Sequence, residues 1–285
     1  MEGRRPWAAR VRLVIPTDPF RLTAMHRRHF FSGLMGSVVL SGCGTRPESP
    51  PLRVLTYNTH HGEGNDGRVD LARIAAVIQA THPDVVALQE LDERARRTGR
   101  IDQVAELNRL TGLHGQFGQA MPYDGGAYGQ AILSRWPLDG FTVHPLPGPS
   151  GREPRIAVSA RIRPPAAPPF RFVGVHLDHT ADDGERWLQA GDLNERFASD
   201  TLPTVLAGDL NATPDSRVMQ RMFEHWMDAA SEHPQPTVPA EAPRSRIDYV
   251  LLRPSGAWRV AEVEVVPEPL ASDHRPLRAA IRGPL

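Results

Sequence analysis

Short apolar runs alternate with longer amphipathic segments through the chain from residue 52 onward. The runs have the length of buried strands, whereas the longer segments place apolar residues at helical spacing, as Leu71, Ile74, Ala75 and Ile78 do. The predicted strands are 53–58, 85–90, 131–133, 156–162, 170–176, 204–207, 247–252 and 261–266, and the predicted helices are 70–80, 101–110, 185–197 and 217–226. Long helices between apolar strands favour an α/β fold over an all-β fold.

Proline marks two connections in this pattern. The proline-rich stretch 164–169 cannot donate ladder hydrogen bonds, so it predicts a solvent loop between two paired strands. The Pro/Ser-rich stretch 44–51 is typical of a tether. The chain has 285 residues, 40% of them hydrophobic and 23% charged, which fits one large globular domain or two small ones. The predicted organisation is a leader over 1–43, the tether, and one catalytic domain over 52–285.

The charge is balanced overall but unevenly spread. Seven arginines and two acidic residues precede Cys43, so the residues that follow it carry 26 basic and 31 acidic side chains. Proteins that bind nucleic acid tightly usually carry a basic stripe that neutralises phosphates. The acidic balance therefore disfavours a high-affinity DNA-binding enzyme without excluding one.

The single cysteine lies at the end of an apolar run. Arg27 and Arg28 precede about 13 apolar residues, a length too short to span a bilayer but typical of a signal peptide, and the run ends in Leu-Ser-Gly before Cys43. The arginine pair resembles a twin-arginine export signal and the end resembles a bacterial lipobox, whose cysteine is acylated. We therefore expect an exported lipoprotein of the bacterial cell envelope, anchored to a membrane through Cys43. The alternative is a buried N-terminal helix with an incidental cysteine. Met25 sits where such a signal would begin, so residues 1–24 are interpreted as an over-extended start.

Polar residues with metal or proton chemistry repeatedly follow the apolar strands. One carboxylate at a strand end is usually structural, but several of them facing one another are costly to bury without a cation. Hard oxygen ligands of this kind suit Mg²⁺ or Mn²⁺. The residues concerned are Asn58, Glu90, His176, Asp209, Asn211, Asp248, Asp273 and His274.

Seven motifs in order resemble the endonuclease/exonuclease/phosphatase (DNase I-like) superfamily. They are LTYNTHHG, VALQE, YGQAILSR, VHLDH, GDLNATP, RIDYVL and SDHRPL, and they span residues 52–277. Each motif alone is short enough to occur by chance, whereas seven in the family's order are not. The resemblance implies a four-layered αββα sandwich of two packed mixed β-sheets flanked by helices.

The resemblance also implies roles for the residues near a metal. Asn58, Glu90 and Asp273 match positions near the metal, and Glu90 is the strongest candidate ligand. The implied cofactor is Mg²⁺ or Mn²⁺, which can neutralise charge on a phosphate oxygen and on the leaving group.

A second set of residues matches the catalytic positions of the family. Asp209 and Asn211 match the pair that orients the attacking water and the phosphate. His274 matches the catalytic histidine, and Asp248 matches the carboxylate that holds it. His176 matches a residue that contacts the phosphate. An imidazole paired with a carboxylate has a fixed tautomer and a raised basicity. Asp248 could instead pair with Arg246, and the sequence does not decide whether His274 is a general base or a charged stabiliser.

Several further residues have two readings each. Arg155 could clamp a substrate phosphate or be a surface hairpin arginine. Asp178 and His179 could shape the pocket or cap the next helix at Thr180. The tandem His60 and His61 are treated as solvated rather than as ligands. Gln130 stands where many relatives carry asparagine, which puts an amide contact from that position in doubt.

These observations and the resemblance predict a metal-dependent hydrolase of phosphoester bonds that uses one divalent metal and an Asp-His dyad. The expected substrates are phosphodiesters. The alternatives are a non-catalytic envelope lipoprotein that binds a phosphorylated ligand and, within the family, a nuclease. A two-metal phosphatase would need a GNH motif, which the sequence lacks. The acidic domain and the membrane anchor favour a lipid head group or a small phosphoester over nucleic acid as substrate. We expect a monomer whose loops 146–154 and 234–243 border the site.

Overall fold

The computed structural model of the chain describes residues 50–283, which fall within one compact unit. The predicted export signal with Cys43 and most of the predicted tether therefore lie outside the described residues. Within them, no helix is both long and apolar enough to cross a membrane.

Twelve strands form two six-stranded sheets in the described part of the chain. In chain order the strands are β1 (Leu52–Asn58), β2 (Val85–Glu93), β3 (His114–Tyr123), β4 (Gly126–Ser134), β5 (Asp139–Pro145), β6 (Ile156–Ile162), β7 (Phe170–His176), β8 (Thr204–Asp209), β9 (Met227–Asp228), β10 (Asp248–Arg253), β11 (Arg259–Val265) and β12 (Leu277–Arg282). The first sheet has the order β11-β12-β1-β2-β4-β3, and the second has the order β5-β6-β7-β8-β10-β9.

Each sheet is mixed and has one parallel pair at its centre. Strands β1 and β2 are parallel in the first sheet, and β7 and β8 are parallel in the second, while the neighbouring pairs are antiparallel. The carboxyl ends of two parallel strands lie at the same edge of a sheet. Both parallel pairs therefore bring the polar residues that follow them to one edge.

Four helices cover the outer faces of the two sheets in the described residues. They are α1 (Leu71–Thr81), α2 (Gln103–Thr111), α3 (Gly184–Ala198) and α4 (Arg217–Phe223). Three begin at a side chain that accepts a backbone N–H of the first turn: Asp70 at α1, Asp102 at α2 and Ser216 at α4. These caps fix where the helices start, one or two residues later than the apolar spacing alone predicts for α1 and α2.

Three apolar clusters hold the layers together. The middle cluster lies between the sheets and includes Val158, Phe172 and Val205. A second cluster packs α3 and α4 on one outer face, and a third packs α1 and α2 on the other. The order helix, sheet, sheet, helix confirms the predicted αββα sandwich.

The proline-rich stretch 164–169 forms an exposed turn between the antiparallel strands β6 and β7, as predicted. Strands β3, β5, β9 and β12 were not predicted, and β9 has only two residues. The first two lie at or near sheet edges and are largely exposed, so their apolar pattern is weak, and β12 has only six residues with arginines at two of them. Helix α4 ends at Phe223 rather than at residue 226, because Trp226 turns inward and donates from Nε1 to Asn194 Oδ1.

Candidate active site

The polar residues at the ends of the central strands meet at one end of the sandwich, where the strand ends of the two packed sheets lie close together. His176 at the end of β7 is in register with Asp209 at the end of β8, and Asp209 is in register with Asp248 at the start of the antiparallel β10. In the other sheet, Asn58 ends β1 beside β2. The amino-acid order alone suggested these strand ends, and the sheet pairing places them side by side.

Asn58 joins the two sheets through its side-chain amide. Its Nδ2 donates to Glu90 Oε1 at 2.9 Å and to Asp209 Oδ2 at 3.1 Å, while its Oδ1 accepts the backbone N–H of His60 at 3.1 Å. Asn58 is almost fully buried, so its orientation is fixed by these partners. The amide therefore holds a carboxylate from each sheet at a defined separation.

A histidine lies between two buried carboxylates. His274 Nδ1 is 3.0 Å from Asp248 Oδ2, and its Nε2 is 3.7 Å from Asp209 Oδ2. Arg246 does not pair with Asp248; its guanidinium binds Asp228 in a bidentate pair at 2.6 and 2.8 Å. The structure thus places Asp248 against His274, in the position that the dyad requires.

The buried charges of this cluster change its proton affinities. Burial alone would lower the pKa of His274, but the carboxylate of Asp248, and after it that of Asp209, raise it to about 10. Burial and the charge of Asp248 raise the pKa of Asp209, although His274 opposes this. His274 is therefore an imidazolium at neutral pH, held between Asp248 and Asp209.

His176 faces Asp209 from the other side. Burial, and next the charge of Arg155, lower the pKa of His176 well below its ordinary value, so the ring is neutral. Arg155 Nη1 donates to Nδ1 at 2.9 Å, which leaves the ring proton on Nε2, 3.6 Å from Asp209 Oδ2. His176 can therefore donate a hydrogen bond into the site.

Arg155 is buried on the wall of the site rather than exposed on a hairpin. Its Nη2 donates to His179 Nδ1 at 2.8 Å, and Nη1 also lies 3.2 Å from Glu153 Oε1. Only 5% of the residue is exposed. The structure thus decides against the surface reading of this arginine.

Asp178 and Asp273 do not line the cleft. Asp178 Oδ2 accepts the backbone N–H of Thr180 at 2.9 Å and bonds its hydroxyl, so it caps a turn. The next helix begins only at Gly184, so the predicted helix cap at Thr180 is wrong, whereas the neighbouring His179 does line the cleft. Asp273 Oδ1 accepts from Ser272 Oγ at 3.2 Å. Asn211 does line the cleft, and its Nδ2 donates to Leu177 O at 3.1 Å.

The cleft has a volume of about 340 Å³, within the usual range for small-molecule sites. Loop 146–154 borders it through Glu153, whereas no residue of 234–243 is among its lining residues; that loop packs on the backbone of Asp273 through Ala240. The described residues that line it are His60, His61, Glu90, Arg97, Met121, Tyr123, Tyr128, Glu153, Arg155, His176, His179, Asp209, Asn211 and His274.

One wall of the cleft was not predicted from the sequence. Arg97 binds the buried Asp92 through Nε and Nη2 at 2.8 and 2.9 Å, and its guanidinium lies 4.5 Å from the centre of the Tyr123 ring and 5.7 Å from that of Tyr128. Arg97 lies in a short 3₁₀ turn and the tyrosines in the β3–β4 hairpin. Neither segment carries a motif that marks a site.

Two groups of side chains in the described residues are close enough to hold a metal ion. One is Asp209, Asp248 and His274, in which the imidazole of His274 is protonated. The other is His60, His61 and Glu90, whose candidate ligand atoms lie within 4.8 Å of one another. The second group fits a divalent cation, since all three of its side chains line the cleft. The solvated reading of the two histidines is wrong for His61, which is buried.

Comparisons with known proteins identify the family and agree with the fold. A model of the endonuclease/exonuclease/phosphatase family matches residues 55–274. The uncharacterized protein YbhP of Escherichia coli K12 is 25% identical over 246 residues, with 81% of this chain and 96% of YbhP covered. An endonuclease/exonuclease/phosphatase from Beutenbergia cavernae superposes with a TM-score of 0.69 at 28% identity, over 82% of this chain and 72% of that one. The mannosyl-6-phosphatase of Bacteroides thetaiotaomicron, at 18% identity, shares the fold with a TM-score of 0.68 over 81% of this chain and 99% of its own.

Proposed function

This chain belongs to the endonuclease/exonuclease/phosphatase family, whose members are phosphoester hydrolases that use divalent metal ions, and we propose that it hydrolyses a small phosphoester, most simply a phosphodiester, by attack of water on phosphorus. The observation that supports this best is the surroundings of Asp209 Oδ2. Asn58 Nδ2, His176 Nε2 and His274 Nε2 lie 3.1, 3.6 and 3.7 Å from it.

The two longer separations leave room for a water molecule. Polar atoms more than about 3.5 Å apart are often bridged by one. A water that donates to Asp209 Oδ2 can also contact the imidazole of His176 or His274. Asp209 then takes the proton as the oxygen attacks phosphorus, and the bond from phosphorus to the leaving oxygen breaks. The raised pKa of Asp209, caused first by burial, makes this carboxylate a better base than an exposed aspartate.

In this proposal His274 is a charged stabiliser rather than the general base. Its imidazole already carries a proton at neutral pH because Asp248 holds its pKa at about 10. The Nε2–H can donate to a phosphoryl oxygen or to the leaving oxygen as negative charge develops there. Arg155 and the neutral His176 add two further donors on the opposite side, which suits the phosphate contact implied for His176.

A divalent metal would be held by Glu90. Asn58 was implied near the metal, and its ligation stays a prediction, since its Nδ2 donates to Glu90 and its Oδ1 accepts the backbone N–H of His60. When bound, Mg²⁺ or Mn²⁺ supplies positive charge for the phosphate oxygens and the leaving group. Asp273 was also implied as a ligand, and this stays a prediction, since its carboxylate bonds Ser272.

A small substrate suits the size and lining of the cleft. Its volume of about 340 Å³ accommodates a phosphorylated head group or a sugar phosphate, and the tyrosine pair beside Arg97 offers apolar ring surface for it. We further propose that Cys43 anchors the protein to a membrane of the cell envelope, where lipid head groups and small phosphoesters are at hand.

The test is hydrolysis of three substrates by the purified protein. Bis-p-nitrophenyl phosphate, sphingomyelin vesicles and plasmid DNA are each incubated with Mg²⁺, Mn²⁺ or EDTA, beside the variant His274→Ala. We expect metal-dependent turnover of the small diester or the lipid that falls at least a hundredfold in the variant. Preferred cleavage of DNA would support the nuclease alternative, and full activity of His274→Ala would refute the proposed role of this residue. A folded protein that binds metal but hydrolyses none of the three would support the non-catalytic alternative.

A further inference from the structure

We infer that His60 and His61 complete a metal centre with Glu90, and that this centre binds a first-row transition-metal ion, with Mn²⁺ as the representative, in preference to Mg²⁺. The inference deepens the proposed function and rests on it for the role of the metal. It concerns residues beyond the oxygen ligands that the family resemblance implies.

The backbone turns all three side chains into the same part of the cleft. His60, His61 and Glu90 have φ values of +44°, +46° and +59°, a left-handed conformation that few non-glycine residues adopt. The turn is held by hydrogen bonds from Gly62 N to Thr59 O and from Glu63 N to His60 O, both 2.8 Å. Such conformations persist where the surrounding structure enforces them, and they concentrate at binding sites.

Glu63 orients both imidazole rings. Its backbone oxygen lies 3.3 Å from His60 Nδ1, and its carboxylate Oε2 lies 3.4 Å from His61 Nε2. Histidines that bind metal usually donate the other ring N–H to a carboxylate or a carbonyl in this way. The arrangement leaves Nε2 of His60 and Nδ1 of His61 for an ion.

His61 Nδ1 is a buried nitrogen that lacks a hydrogen-bond partner among the described residues. His61 is only 8% exposed and lines the cleft. Burying a polar nitrogen without a partner is costly, so such an atom calls for a ligand or a water. One candidate ligand atom from each of His60, His61 and Glu90 lies within 4.8 Å of the other two, about twice the length of a metal–ligand bond.

The charge of the nearest cation is partly offset. Arg97 lies on the same wall of the cleft, and its bidentate pair with the buried Asp92 offsets part of its positive charge, although burial, and next that charge, still lower the pKa of His61. Glu90 and Glu63 supply two carboxylates close to the imidazoles. The local charge therefore favours a divalent cation.

The donor set decides which cation is preferred. Mg²⁺ takes oxygen ligands and keeps several waters, whereas imidazole nitrogen suits first-row transition metals. A centre made of Glu90 alone would favour Mg²⁺. Two imidazoles beside that carboxylate shift the preference toward Mn²⁺ and its heavier neighbours.

The test measures Mn²⁺ binding directly. The metal-free protein is titrated with Mn²⁺ while electron paramagnetic resonance follows the free ion, with and without competing Mg²⁺, and spin-echo modulation reports ¹⁴N nuclei bound to Mn²⁺. The variants are His60→Asn and His61→Asn, because asparagine tolerates the left-handed conformation. The matched control is His82→Asn, an exposed histidine with φ of +47° at the end of α1, which does not line the cleft.

We expect ¹⁴N modulation from bound Mn²⁺ in the wild-type protein. His60→Asn and His61→Asn should each lower the Mn²⁺ affinity tenfold or more and should no longer prefer Mn²⁺ to Mg²⁺. His82→Asn should bind as the wild type does. The inference would be overturned if the wild-type protein bound Mn²⁺ without ¹⁴N modulation. It would also be overturned if folded His60→Asn and His61→Asn bound Mn²⁺ with the same affinity as the wild type. Hydrolysis assays on the same samples distinguish failure of the inference from failure of the proposed function. Metal-dependent turnover without histidine ligation refutes the inference alone. A histidine-bound Mn²⁺ in a protein without turnover refutes the proposed function alone.

Discussion

Replacing Asp248 with asparagine should lower the pKa of His274 by about 2 to 3 while leaving the ring in place. The two side chains are 3.0 Å apart and buried, and the asparagine oxygen can still accept from Nδ1. An ion pair with charge centres about 4 Å apart contributes roughly 4 kcal/mol at an effective dielectric constant near 20. The rise of the pKa of His274 from 6.5 to about 10 corresponds to roughly 5 kcal/mol at 1.36 kcal/mol per pH unit. Burial lowers this pKa, so the favourable interactions together exceed the net rise, and the Asp248 charge is the largest of them.

The measurement is a titration of ¹⁵N-histidine-labelled, metal-free protein by nuclear magnetic resonance, with His274→Ala to assign the signal. The wild-type ring should stay protonated until the pH approaches 10, and in Asp248→Asn it should lose its proton near pH 7 to 8. Asp273→Asn is the matched control, since Asp273 contributes less than Asp248 or Asp209 to raising this pKa. A His274 signal that titrates alike in wild type and Asp248→Asn would refute the assignment of the raised pKa to this pair.

The same pair links folding stability to pH. Because the folded pKa of His274 lies above the unfolded value of 6.5, its contribution is complete below that pH and is lost as the pH rises through about 10. The loss of stability between pH 7 and pH 10 should therefore be larger in the wild type than in Asp248→Asn. Urea unfolding at both pH values measures the difference, and equal losses would contradict it.

Four further outcomes are expected. Glu90→Gln should shift hydrolysis to higher metal concentration, measured by titrating activity with Mg²⁺ or Mn²⁺, and an unchanged metal requirement would exclude it as a ligand. Asp209→Asn should lower kcat by roughly 10²–10⁴ with the thermal midpoint nearly unchanged; full activity would exclude it as the base. Arg246→Ala should destabilise the protein by about 3–5 kcal/mol in urea unfolding, because Asp228 is left buried without its partner; a loss under 1 kcal/mol would show that water replaces the guanidinium. Cys43→Ser should move the protein from membrane to soluble fractions, and retention on membranes would argue against the lipid anchor.

Much of the site could be predicted because its residues end strands that the apolar pattern marks. Asn58, His176 and Asp209 each follow a buried run directly, and parallel pairing then brings them to one edge. The sequence could not decide whether Asp248 pairs with Arg246 or with His274, since Arg246 lies only two residues before Asp248 at the start of the same strand. The choice depends on Asp228, which lies 18 positions before Arg246 and binds its guanidinium.

The wall formed by Arg97 and the two tyrosines could not be predicted from the pattern. Tyr123 and Tyr128 flank the turn of the β3–β4 hairpin, where the strand residues are partly exposed and apolar alternation is weak. Their place at the cleft depends on a register shift in β3 between Gln119 and Met121, which no periodicity in the sequence encodes. A 3₁₀ turn then carries Arg97 over the rings.

The position of Glu90 shows how a local irregularity makes the site. In the β2–β4 ladder Leu88 pairs with Ala131 and Leu91 with Gly129, so Gln89 and Glu90 lie opposite the single residue 130. In a regular strand residue 90 would point to the same side as Leu88, toward the helices. The extra residue and the φ of +59° at Glu90 instead re-aim its carboxylate at the cleft. Gln130, opposite the bulge, donates its amide to Ile156 O in the other sheet, so it joins the two sheets and does not line the main cleft. The proposed metal ligand Glu90 is thus placed by a bulge, and the stability of that bulge should limit how firmly a metal is held.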